Sequence, residues 1–293
     1  MGVFSRSWAL TKASFRAIGE DKELLIYPIL AMIFSIIFIV AMLFPTIIVG
    51  FLRESKISPF SVLEYLLIFL VYLGLSFITV FFNVCVVYTA AMRFSGKNAT
   101  LGSSFKFAFS RIHLIFLWSL VSATVGLLLN LIDRIAQKAG PVGKIILTIV
   151  RSILGLIWSI ITLFVIPAMV YKNLGPFAAI KESVIVLKKT WGENLVRFLT
   201  MTIIEFLFFI LGIILFIPLI FIAIPLGVYA IIIVIGIFLF YFLGLALIFS
   251  IANQIYNTAL YVYATTGKVV GGFDKETMTG AFKNTNQKLG VGL

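Results

Sequence analysis

Residues 195–263 read LVRFLTMTIIEFLFFILGIILFIPLIFIAIPLGVYAIIIVIGIFLFYFLGLALIFSIANQIYNTALYVY, and only Arg197 and Glu205 carry formal charge across them. A soluble helix rarely runs past about 20 residues before a polar break, so an apolar stretch of this length has to cross lipid more than once. Pro218 and Pro225 bracket Pro-Leu-Ile-Phe-Ile-Ala-Ile-Pro, which predicts a turn between two spans, Leu195 to Ile217 and Leu226 to Tyr263.

Working outward from this hairpin, four more apolar runs are long enough to span: Leu24 to Leu52, Leu63 to Met92, Ile112 to Leu131 and Ile145 to Tyr171. With 62% hydrophobic and 12% charged residues and a mean hydropathy of +1.17, the rest of the chain excludes a water-soluble domain. The expected fold is all-α, a polytopic transmembrane helical bundle of about six spans, read as a single transmembrane domain over 1–293. Pro28, Pro45 and Pro167 sit near span ends, where a kink costs least. Cys85 lies inside an apolar run and reads as core. No apolar stretch precedes the first span, so that span is expected to act as its own signal.

The net charge of +12 comes from 23 basic residues placed at the ends of apolar runs rather than on a soluble face. That pattern points to a lipid surface and away from nucleic acid. Alternate loops carry 17 Lys and Arg on one side and 6 on the other. The positive-inside bias therefore puts both termini in the cytoplasm, in the cell membrane.

The segments on the basic side are themselves patterned. Phe4, Trp8, Thr11, Phe15 and Ile18 recur at helical spacing, as do Phe105, Phe109 and Ile112 opposite Lys106 and Ser110, and Phe177, Ile180, Val184 and Leu187 opposite Lys181 and Lys188. Each is expected to lie as an interfacial amphipathic helix on the anionic leaflet before the next span. Trp8 and Trp191 are the expected interfacial anchors. The order of amphipathic helix, span, short loop and span recurs three times, giving repeat units 1–92, 93–171 and 172–267 and a cytoplasmic tail 268–293. Asn83 and Gly96-Lys97 match Gln254 and Gly267-Lys268 at one constant offset.

The stretch from Ile166-Pro167 through Lys181-Glu182-Ser183 to Lys188-Lys189-Thr190-Trp191-Gly192-Glu193-Asn194, with Asn257-Thr258-Ala259-Leu260-Tyr261-Val262-Tyr263-Ala264-Thr265-Thr266-Gly267, resembles a family of prokaryotic six-span membrane proteins without an established activity. That family is similar in turn to the membrane domains that accompany some glycerophosphodiester phosphodiesterases. The resemblance implies the fold and a bacterial or archaeal origin, and supplies no catalytic residue or cofactor.

Chemistry-bearing residues are sparse. His113 has no partner at metal-ligand spacing, and no zinc, phosphate-loop, nucleophile-elbow or dinucleotide motif occurs, so no catalytic residue, metal or cofactor is expected. Glu205 falls about 15 Å along its span from Leu195, near the midplane of a hydrocarbon layer about 30 Å thick, where an acid has to face protein or a cavity. Two readings stand equal, an ion or proton site and a neutral hydrogen-bonded acid. Asn83, Asn253, Gln254 and Asn257 join it as candidate polar-site residues, either lining a vestibule or binding helices together. Ser119, Ser122, Ala123 and Gly126 in span three and Ser152, Gly155 and Ser159 in span four form small-residue stripes expected to face each other or another helix. Transport or pore formation for a small solute or ion is the first expectation. A non-catalytic scaffold or lipid-interacting protein is the alternative, a lipid-modifying enzyme comes last, and a homo-oligomer is left open.

Overall fold

The computed structural model of the chain describes residues 15, 16, 19, 22–52 and 62–270, and among them the regular elements are all helical. Six helices are long and apolar enough to cross a membrane. Helices are the expected solution, because lipid offers no hydrogen-bond partner and each backbone group has to be satisfied within its own segment. The chain divides into two compact units, residues 26–187 and residues 1–25 with 188–293.

The first unit contains α1 (Ile26–Leu52), α2 (Val62–Phe94), α3 (Leu101–Ser110), α4 (Ile112–Lys138), α5 (Pro141–Ile161), α6 (Val165–Lys172) and nearly all of α7 (Pro176–Lys189). Helix α2 is its axis, with α1, α3, α4 and α6 packed on it. The register is antiparallel: Arg134 stands over the Tyr65 ring at 5.5 Å, the Phe109 and Phe81 rings are 5.0 Å apart, and the Ser104 and Thr89 hydroxyls are 2.8 Å apart. Together α3 and α4 make one stroke along α2, interrupted at Arg111. Thr100 starts α3 with a capping box, its hydroxyl accepting from Ser103 N–H while Ser103 Oγ accepts from Thr100 N–H.

The fourth apolar run is split into two helices. Pro167 has no N–H for the carbonyl four residues earlier and its ring crowds that carbonyl, so α5 stops at Ile161 and α6 begins at Val165. Stacked Trp118 and Trp158 rings, 5.8 Å apart, tie α4 to α5.

The short helices depart in part from their expected faces. α3 buries Ser104 and Ala108, and α7 buries Ala179 and Ser183 together with Val186 and Leu187, while Phe177 is 78% exposed. Small residues make the packing face of α3 and share that of α7, because these let one backbone approach another. Of the large apolar faces read from the sequence, Leu187 is buried, whereas Phe109, Ile112 and Phe177 are exposed. The stripe on α4 likewise turns to α2: Ser119 and Ala123 are buried, and a Cβ at Gly126 would lie 3.4 Å from the Tyr72 ring. Ser152 and Ser159 on α5 are exposed, so the two stripes do not meet.

In the second unit a 3-10 turn (Lys22–Leu25) accompanies α8 (Trp191–Ala223) and α9 (Val228–Thr266). α8 continues through Pro218, and the reversal falls at Ile224–Gly227, later than the expected 218–225 turn. Gly227 takes φ +95, a conformation that favours glycine, and this fixes where the chain can turn. α8 and α9 run antiparallel, with Phe216 against Phe238 at 5.2 Å and the Tyr241 hydroxyl donating to Phe208 O at 2.9 Å. The buried part of α9 runs from Phe249 to Tyr261, and the Phe15 ring packs on Phe249 at 5.4 Å.

Candidate functional site

The first unit contains an apolar groove of about 290 Å³ where α1, α2 and the α3–α4 junction meet. Phe77, Ile78, Phe81 and Phe82 form its floor, a set spaced i, i+1, i+4 and i+5 that shares one face of α2. Phe34 of α1 closes one wall, and Phe105, Phe109 and Ile112 close the other. The rings hold one another in stacked, tilted and edge-on arrangements. Phe81 lies 5.5 Å from Phe82, 6.1 Å from Phe105 and 5.0 Å from Phe109, and Phe34 lies 5.8 Å from Phe82. Such pairs add stability beyond area and make the walls stiff.

Beside the groove, a buried hydroxyl chain fixes α3 in place. The Tyr27 and Thr89 hydroxyls are 3.1 Å apart, and Thr89 Oγ1 is 2.8 Å from Ser104 Oγ. Cys85, fully buried as expected of a core residue, donates from Sγ to Ser104 O at 3.7 Å. On the other side of α3, Phe107 stacks on Tyr88 at 4.3 Å and the Arg111 guanidinium lies 5.4 Å from the Phe107 ring centre. Helix α3 is thereby held by polar groups on one face and stacked rings on another, leaving Phe105 and Phe109 aimed at the groove.

The residues singled out from the sequence lie elsewhere. Glu205 is exposed on α8, so the expected seat against protein is not supplied by its described neighbours. Glu205 is the fifteenth of the 33 residues of α8 and lies about 33 Å along the axis from the Gly227 turn. Asn253, Gln254 and Asn257 are half-buried on α9, about one to two turns past that level, and Asn83 is half-buried on α2 of the other unit. Trp191 opens α8, and Trp8 lies outside the described residues. His113 is exposed at the start of α4.

Sequence reasoning found Phe105, Phe109 and Ile112 as a face but missed the floor they close. Phe77, Phe81 and Phe82 carry a helical period, yet in a span this rich in phenylalanine that period also fits plain lipid contact. Only packing distinguishes the two.

Residues 62–272 match a family of unknown function, DUF6159, and this chain belongs to that family. The match includes the groove floor and the motifs around Pro167 and Ser183. No curated protein matches the chain. With its six spanning helices, the protein is a multi-pass membrane protein of a family without an assigned activity.

Proposed function

Proceeding from membership of that family, we propose that this is a non-catalytic, lipid-interacting protein of the cell membrane that seats an acyl chain in the aromatic groove. The observation that carries this is the groove itself, a cleft of carbon side chains opening at Phe34, Phe109 and Ile112, all exposed. An acyl chain gains little from leaving one apolar phase for another, so the selectivity rests on close contact with stiff aromatic walls. In this reading both termini are cytoplasmic, and the excess basic charge meets anionic headgroups rather than nucleic acid.

A phospholipid with a photoactivatable group on its acyl chain, carried in nanodiscs with the purified protein, tests this. Adducts are expected on the peptides carrying Phe81–Phe82 and Phe105–Phe109. Ile78→Trp fills the groove and should remove them, and uniform labelling along all spans would overturn the reading.

One observation favours the second reading, passage of a small solute or ion. Lys144, Thr148, Arg151, Ser152 and Ser159 form a polar stripe along α5, all exposed, and none of the residues of α5 is buried. A homo-oligomer that gathered this stripe would line a polar path. Flux in reconstituted vesicles, lost in Arg151→Leu, is its test.

A further inference from the structure

We infer that the rim of the aromatic groove is a phosphate subsite, so that the molecule seated there is an anionic phospholipid, its phosphate held by Lys106 and His113. This rests on the acyl-chain reading and adds the headgroup class.

The groove wall is built from positions 105, 109 and 112. On α3 Lys106 lies one position round from Phe105, and on α4 His113 lies one position round from Ile112, while Ser110 at the end of α3 donates its hydroxyl proton to Phe107 O at 2.7 Å. Successive residues are about 100° apart, so Lys106 and His113 lie along the edge of the apolar positions. Both side chains are exposed. Arg111, the residue at the break, is directed to the other side of α3, over Phe107.

Depth and charge agree with this placement. Ile112, which lines the groove, is the first residue of the span Ile112–Lys138, and this puts the groove wall at one end of that crossing of a hydrocarbon layer about 30 Å thick. A lipid with its tail on Phe81 and Phe109 therefore has its phosphate at the level of the rim. Between Glu64 and Asp133 the chain has no acidic residue, while Arg93, Lys97, Lys106 and Arg111 are all basic. The local field favours a net anionic headgroup, whereas the cationic end of a zwitterionic one is repelled. A basic side chain beside such a headgroup is worth about a fivefold preference.

The test uses phosphatidylcholine nanodiscs with equal traces of phosphatidylglycerol and phosphatidylcholine probes that share one photoactivatable acyl chain and differ in isotope. Adducts on the 105–112 peptide of the wild-type protein should favour the glycerol headgroup about fivefold or more. In Lys106→Gln/His113→Gln the ratio should fall to near one with phosphatidylcholine labelling unchanged, which also shows the groove still folded. Lys97→Gln, at the turn beyond α2, should leave the ratio intact. A wild-type ratio near one overturns the subsite but not the groove, whereas absence of both adducts from this peptide overturns the groove reading itself. A preference that survives the double substitution, or that Lys97→Gln reduces equally, overturns the subsite in favour of diffuse surface charge.

Discussion

Ser183 Oγ on α7 accepts a hydrogen bond from the backbone N–H of Phe164 at 3.0 Å, in the break between α5 and α6, and both residues are fully buried. This links two halves of the family-like motif. Pro167 opens the helix, and Ser183 satisfies a backbone group in the gap. Glu182 secures the same contact, accepting from Lys172 Nζ at the end of α6 at 2.5 Å.

Ser183→Ala removes the acceptor from a buried amide and should lower stability in detergent by about 1–3 kcal/mol, read as a shift in the thermal unfolding curve. In a Pro167→Ala background the helix can close its own ladder, so the same substitution should cost less. An additive double-mutant cycle would separate the two residues.

Thr89 holds two neighbours at once, Tyr27 and Ser104. Thr89→Val keeps its shape and loses both bonds, so it should cost about 1–3 kcal/mol, roughly twice the effect of Tyr27→Phe. Loosening of α3 in Thr89→Val should also weaken acyl-chain labelling at Phe105 and Phe109.

Two glycines in transmembrane helices should behave oppositely. A Cβ at Gly212 would lie 2.5 Å from Tyr241 Cε1, and that ring is pinned by its bond to Phe208 O, so Gly212→Ala should cost about 1–3 kcal/mol. Gly155 has only Leu129 Cδ1 at 4.0 Å, so Gly155→Ala should be neutral or gain up to about 1 kcal/mol. Thermal unfolding of both variants in one detergent makes the comparison direct.

Glu205, exposed on α8, should tolerate change. Glu205→Gln and Glu205→Leu are expected within about 0.5 kcal/mol of wild type, as for surface positions. A large loss confined to Glu205→Leu would restore the hydrogen-bonded acid.

Orientation follows from charge and is measured by single cysteines in a Cys85→Ser background. Positions 97 and 188 should be shielded from an impermeant thiol reagent in intact cells and position 138 should react. Labelling of position 188 from outside would reverse the assignment.

The six spans, their helical class and their order follow from apolar run length alone. Gly96 and Gly267, matched in the sequence at one offset as a mark of the repeat, both take positive φ after α2 and α9, as Asn173 does after α6. The Pro167 break was legible as a kink, because a missing N–H is a local property. Pro218 misled, because proline in a lipid-facing helix can be accommodated, and only Gly227 shows where the chain reverses.

The site was legible only in part. Lys106 and His113 are visible in the sequence, but their position on the rim of a groove depends on α3 lying antiparallel along α2. That packing is set by Ser104 and Ala108 on α3 and Thr89 on α2, small residues that any hydropathy measure ranks below the phenylalanines. Hydropathy fixes which segments leave water, because transfer free energy adds residue by residue along the chain. Which faces meet is decided by shape and by buried hydrogen bonds between segments distant in sequence. In lipid the apolar residues gain nothing by turning inward, so the tertiary structure alone left Glu205 exposed on α8 and brought Phe34, Phe81 and Phe109 around one groove.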